Sequence, residues 1–203
     1  MKKVLGLLLC LGLIIFGTGV IANADTIFSD NFNRSPSNTV GNGWGEIQDY
    51  YDDVAIINYD SNHLGVLMLR DQSSGSYDAA AYHDVDLTGY SNITLSFDYL
   101  AFSSTENTDK ILVIWRNDGG SWNQVTSYTL GGSGWQSVAN LSLGSGVNGL
   151  SAFRFGFATS VSQDDEGVYI DNVVLSGKVP EPTSLLFLGS GLLGLVLFRR
   201  KKL

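Results

Sequence analysis

Ile93-Thr94-Leu95-Ser96-Phe97-Asp98-Tyr99 places an apolar side chain at every second position and a polar one between. Successive side chains of an extended chain point to opposite faces, so the segment reads as a strand with one buried face. Phe153, Phe155 and Phe157 alternate with Ala152, Arg154 and Gly156 in the same way. Ile111-Leu112-Val113-Ile114-Trp115 is apolar throughout, as expected for a central strand covered on both faces. Outward from these three, short apolar runs recur at 27–32, 54–59, 64–70, 79–85, 124–130, 135–141 and 168–175. Asn117-Asp118-Gly119-Gly120, Gly131-Gly132-Ser133-Gly134 and Gly144-Ser145-Gly146 separate runs with turn chemistry. No helical period competes between the chain ends. About ten short strands with frequent reversals predict an all-β domain, a two-sheet antiparallel β-sandwich of the jelly-roll kind.

The two ends follow different rules. Met1-Lys2-Lys3 is a basic start, 4–21 is an apolar run, and Ala22-Asn23-Ala24 is a small-x-small cleavage site before Asp25. That order predicts a signal peptide over 1–24, removed by signal peptidase. At the other end Val179-Pro180-Glu181-Pro182 precedes an uncharged apolar stretch and then Arg199-Arg200-Lys201-Lys202-Leu203. The prolines stop a strand and give an extended linker. A helix over 183–198 would reach about 24 Å, short of the ~30 Å hydrocarbon core, so it is a marginal membrane anchor. Basic residues at both chain ends stay on the cytoplasmic side and put residues 25–178 outside.

Charge narrows the partners. Between the two end segments 19 acidic residues face 6 basic ones, a formal charge of −13. Such a surface repels nucleic acid and anionic membranes, and neither is expected as a partner. The one cysteine, Cys10, falls in the segment expected to be cleaved, so packing rather than a disulfide must hold the mature domain.

The tail, Val179-Pro180-Glu181-Pro182-Thr183 followed by a Leu/Gly-rich stretch and an Arg-rich end, resembles the PEP-CTERM sorting signal. The resemblance covers 179–203. It implies recognition and processing at 180–182 by an exosortase, a membrane transpeptidase-like enzyme, in a Gram-negative bacterium that makes exopolysaccharide. It also implies transient anchoring in the inner membrane, then the cell surface or extracellular matrix.

Two further patterns, Phe28-Ser29-Asp30-Asn31-Phe32-Asn33 leading to Gly43-Trp44, and Glu166-Gly167-Val168-Tyr169-Ile170-Asp171-Asn172-Val173, resemble the jelly-roll family of carbohydrate-binding modules, MAM-like domains and concanavalin-like lectins. The resemblance implies paired first and last strands, with a structural calcium ion whose carboxylates would be Asp30 and Asp171. Calcium requires six to eight oxygens, which carboxylates and carbonyls supply.

Sugar binding needs exposed aromatic faces against pyranose rings, with polar groups for the hydroxyls. Tyr50, Tyr51, Trp122 and Trp135, beside turns, are the expected platform, with Tyr77 and Tyr82 also available; Trp44 and Trp115 belong to the core. Catalysis is not expected: His63 and His83 lie in unrelated segments, without a zinc motif or a nucleophile triad. The functional expectation is a non-catalytic surface or matrix protein associated with exopolysaccharide or biofilm. The alternatives are a specific lectin-like glycan-binding module and, behind it, a secreted glycoside-active enzyme.

Overall fold

The structure is a computed structural model that describes residues 24–47, 52–61, 63–70 and 79–180. Tyr50, Tyr51 and Tyr77, the signal-peptide region through Ala22, Glu181, Pro182 and the expected helix at 183–198 lie outside the described residues. Ala24 is exposed ahead of the first strand, and Val179 and Pro180 follow the last.

The strands are β1 (Asp25–Asp30), β2 (Trp44–Ile47), β3 (Val54–Ile57), β4 (Val66–Arg70), β5 (Ala80–Val85), β6 (Ser91–Ala101), β7 (Lys110–Asn117), β8 (Asn123–Thr129), β9 (Gln136–Ser142), β10 (Phe153–Ser160) and β11 (Gly167–Lys178). They form two antiparallel sheets. One has six strands in the order β3-β4-β11-β6-β9, with β1 also on β11; the other has five, β2-β5-β10-β7-β8. The expected sandwich is present. The expected strands correspond to ten of these eleven, and β2 is the addition: four residues interrupted by Gly45 give too short an alternation to read.

The alternation that predicted the strands also builds the core. Ile93, Leu95 and Phe97 of β6 and Val168, Ile170, Val173 and Leu175 of β11 point inward from the six-stranded sheet. Phe153, Phe155 and Phe157 of β10 and Ile111 and Val113 of β7 meet them from the other. The Phe97 and Phe157 rings cross the interface edge to face at 4.8 Å. Each such ring contributes about 1.5–3 kcal/mol by leaving water, which makes β6, β10 and β11 the backbone of stability.

β11 has a divided neighbour. Its first part, Gly167 to Ile170, pairs with β4, and its later part, Val173 to Gly177, pairs with β1. Between them lie Asp171 and Asn172, where the register with β6 also shifts and Asn172 adopts φ 52°. β1 itself ends in a turn through Phe32, φ 51°. The loop before β4 packs directly on that turn: a Cβ on Gly65 would lie 2.0 Å from the Phe32 carbonyl oxygen. Only glycine permits this approach.

Candidate functional site

On β10, Arg154 falls between the inward rings of Phe153 and Phe155, so it points out of the five-stranded sheet. It lies opposite Asp84 of β5 on one side and Arg116 of β7 on the other. The three side chains form a row straight across the strands. Arg154 binds Asp84 with both Nε and Nη2, the latter at 2.7 Å from Oδ2. The Arg154 hydrogen bond holds the Asp84 carboxyl below its ordinary pKa, and the same bond raises that of Arg154.

Aromatic rings surround this row. The Arg154 guanidinium sits 4.3 Å from the Tyr82 ring centroid, and that of Arg116 sits 4.7 Å from Trp122 and 6.0 Å from Tyr82. The Tyr82 and Trp122 rings are 5.8 Å apart. Tyr82 leans onto β2 at Gly45, where a Cβ would lie 2.4 Å from its Cζ. A residue with a side chain at 45 would lift the ring off the sheet. Beside the row is a shallow cavity of about 280 Å³, lined among others by Asp86, Asp118 and Ser151. The Arg116 Nε is buried and has no acceptor among the described residues, a costly state for a donor, so this guanidinium meets a ligand through its ring-stacked plane and terminal nitrogens rather than through Nε.

Two planar cations lie on aromatic rings, one of them, Arg154, fixed by its cross-strand bonds to Asp84, and together they make a flat surface. This arrangement suits polyhydroxylated rings: faces for C–H groups, guanidinium edges and carboxylates for hydroxyls. Of the residues expected to bind glycan, Trp122 belongs to this face. Trp135 does not: it lies with Tyr59 and His63, away from this row. The sequence reading did not include Arg116 and Arg154. Arg154 was legible as outward-facing from the Phe153-x-Phe155-x-Phe157 alternation, but its partners depend on register.

The expected calcium ligands are placed on neighbouring strands, as the resemblance implied. Asp30 pairs in register with Val173, two residues beyond Asp171. Their surroundings do not fit a shared ion. Asp30 Oδ1 accepts from the Phe32 N–H at 2.8 Å and from Arg34 Nη1 at 2.8 Å. Its Oδ2 accepts from Arg34 Nη2 at 3.1 Å, Asn42 Nδ2 at 3.1 Å and Trp44 Nε1 at 2.9 Å. These donors use the lone pairs a cation would need, and Arg34 already supplies the positive charge. Burial raises the Asp30 pKa, but the bonds from Arg34, Asn42, Phe32 and Trp44 together outweigh it and hold the carboxyl below its ordinary value. Asp171 accepts one bond, from the Asn172 N–H at 2.7 Å, and burial pushes its pKa up. Among the described residues no three His, Cys, Asp or Glu side chains gather as a metal site.

The family model of the PEP-CTERM protein-sorting motif matches residues 178–201. No curated protein matches the chain in sequence. Several solved structures share its fold. The xylan-binding domain CBM22-1 of a Paenibacillus barcinonensis protein superposes with a TM-score of 0.56 at 10% identity, covering 79% of this chain and 99% of that domain. The K3 cleaved adhesin domain of Lys-gingipain from Porphyromonas gingivalis w83 gives 0.53 at 12% identity, covering 74% and 99%. At these identities the likeness is one of fold.

Proposed function

We propose that this chain, with a PEP-CTERM sorting motif behind an all-β sandwich, is exported, anchored briefly in the inner membrane and processed by an exosortase at 180–182, and that its sandwich, residues 25–178, binds a polysaccharide of the cell surface or matrix. Residues 1–24 act as a signal peptide and 179–203 as the sorting signal in this reading. The observation that carries the binding half is the row Asp84–Arg154–Arg116, whose guanidiniums lie on the rings of Tyr82 and Trp122. Sharing a fold with a xylan-binding domain supports a glycan as the ligand class.

The reading is non-catalytic. Glycoside hydrolysis needs one carboxyl kept protonated near neutral pH by a raised pKa. On this face Asp84 is lowered by Arg154 and Asp86 by the Thr88 hydroxyl and N–H.

A glycan array probed with residues 25–178 tests the binding half. Saturable binding to a defined oligosaccharide, weakened at least tenfold by Trp122→Ala, is expected; a blank array defeats it. Replacing Pro180-Glu181-Pro182 by alanines tests the sorting half, and the full-length unprocessed chain should accumulate in the inner membrane. Normal processing of that variant would refute the exosortase assignment.

A further inference from the structure

Tyr169 sits on β11 between the core residues Val168 and Ile170, so its ring faces out of the six-stranded sheet. Its cross-strand neighbours on that face are Met68 and Leu100. The ring continues an arc of aromatics drawn from four separate segments. Trp135, Tyr59, Tyr169 and Phe102 follow one another with centroid separations of 5.8, 4.9 and 4.4 Å. His63 stacks on Trp135 at 4.3 Å and 15°. Tyr59 is 42% exposed, so the arc remains open to solvent near its middle.

Beside the arc, between the β6–β7 loop and the β8–β9 loop, which crosses from one sheet to the other, lies a cavity of about 660 Å³. That volume lies within the ~300–1,000 Å³ of small-molecule sites. Tyr59, Phe102 and Tyr169 form its aromatic wall; Ser103, Ser104 and Thr105 bring hydroxyls. The glycine-rich turn at 131–134 gives a wall almost without side chains, where backbone is open to a ligand. Among the described lining residues Asp165 is the one acid, and no lysine or arginine takes part.

The walls are tied together before any ligand arrives. Thr105 Oγ1 lies 2.6 Å from the Phe102 carbonyl oxygen and 3.0 Å from that of Leu130, its single hydrogen shared between them, and so links the two loops. The Leu130 N–H donates to the Asp109 carbonyl at 2.9 Å, and the Phe102 N–H to that of Gly167 at 2.9 Å. A Cβ on Gly131 would collide with the Asn107 side chain, so the β8–β9 loop packs closely on the β6–β7 loop there and a larger residue would displace Asn107. Preorganised walls lower the ordering cost of binding.

The geometry points to a second saccharide site here, one that takes a neutral sugar. Aromatic faces fit pyranose C–H groups; the Ser103 hydroxyl can donate to a sugar oxygen, while the Ser104 and Thr105 oxygens, their hydrogens used on the Asp165, Phe102 and Leu130 carbonyls, can accept from sugar hydroxyls. An anionic sugar would meet Asp165 with no cation among the described lining residues to offset the cost of burying its charge. The outer face of the five-stranded sheet differs in kind, since two guanidiniums lie on its rings. Two sites on opposite sheets would let one domain hold two polysaccharide chains, raising retention through avidity. The inference rests on the polysaccharide reading for its ligand class alone, not on the first face being occupied.

The test uses the mature protein labelled with ¹⁵N and follows the indole N–H signals of its four tryptophans, two of which, Trp122 and Trp135, report the two faces. The neutral probes are xylohexaose, cellohexaose and mannohexaose; hexagalacturonate is the anionic one. At least one neutral probe should shift the Trp135 signal saturably, with hexagalacturonate at least tenfold weaker there. Tyr59→Ala, and separately Ser103→Arg at the exposed rim, should each weaken that response at least tenfold while leaving the Trp122 signal and the rest of the spectrum unchanged. A Trp135 response without any at Trp122 would sustain this site and count against the first face. Silence of Trp135 with all three neutral probes, or a response that both variants leave intact, would overturn the inference.

Discussion

Asp30 and Asp171 lie on adjacent strands of one sheet, both buried, and their surroundings treat them in opposite ways. Asp30 is surrounded by donors from Phe32, Arg34, Asn42 and Trp44. Asp171 has one backbone donor and feels the negative charges of Asp98 and Asp30. One carboxylate fastens the β1 turn to the loop and core tryptophan around it; the other is held at the break between β1 and β4 at a cost. The contrast shows that burial alone says little about what an acidic residue does in a sheet. What matters is how many donors the chain delivers to it.

That contrast can be broken by mutation. Asp30→Ala should have the largest effect, about 3 kcal/mol lost in urea unfolding, because Arg34 keeps a partly buried charge without its partner. Trp44→Phe keeps most of the packing and removes one donor to a charged acceptor; roughly 1.5–3 kcal/mol should be lost. Asp171→Asn should be nearly neutral at pH 7, within about 1 kcal/mol and on the stabilising side, since the amide oxygen still accepts from the Asn172 N–H. If it destabilises as much as Asp30→Ala, the contrast fails.

The two groups should also separate in pH. The folded pKa of Asp30 lies below its unfolded value, so its stabilisation is complete above about pH 3.9 and is lost as pH falls through the folded value. Asp171 is the reverse: its folded pKa lies above the unfolded one, so it costs stability at neutral pH, and the cost is relieved as pH falls through the folded value. Melting curves between pH 7 and 2 should therefore lose part of their mildly acidic gain in Asp171→Asn, the rest coming from Asp109, whose pKa burial also raises, and part of their steep acid loss in Asp30→Asn. The smallest expected effect is that of calcium. Millimolar calcium or a chelator should leave the melting temperature unchanged, whereas an ion-dependent rise abolished by Asp171→Ala would restore the shared ion.

The strands were legible because each inward face is a run of large apolar residues at a spacing of two, as in Phe153, Phe155 and Phe157. β2 was not, because Gly45 and Glu46 break its pattern and the glycine is there to receive Tyr82, a contact between strands far apart in sequence. The approach of Asp30 to the last strand was legible through resemblance. Arg34 as its partner was not: the chain must turn through a left-handed Phe32 before the guanidinium can reach back, and nothing in that residue announces it. Trp122 and Trp135 read alike, both aromatic beside turns. Trp122 leads into β8 of the five-stranded sheet and meets the arginines; Trp135 leads into β9 of the six-stranded sheet and joins the aromatic arc.

The placement of β11 has a mechanical consequence. It is the strand that leads into the sorting motif, so any pull on a tethered tail is applied at Lys178. β11 is bonded along one side to β6 and along the other to β1 and then β4. The load therefore enters an interior strand laced on both edges, and to yield, the sheet must release rows of bonds on two sides rather than peel from its rim. A domain hung from its tail in moving fluid is suspended by one of its best-secured strands.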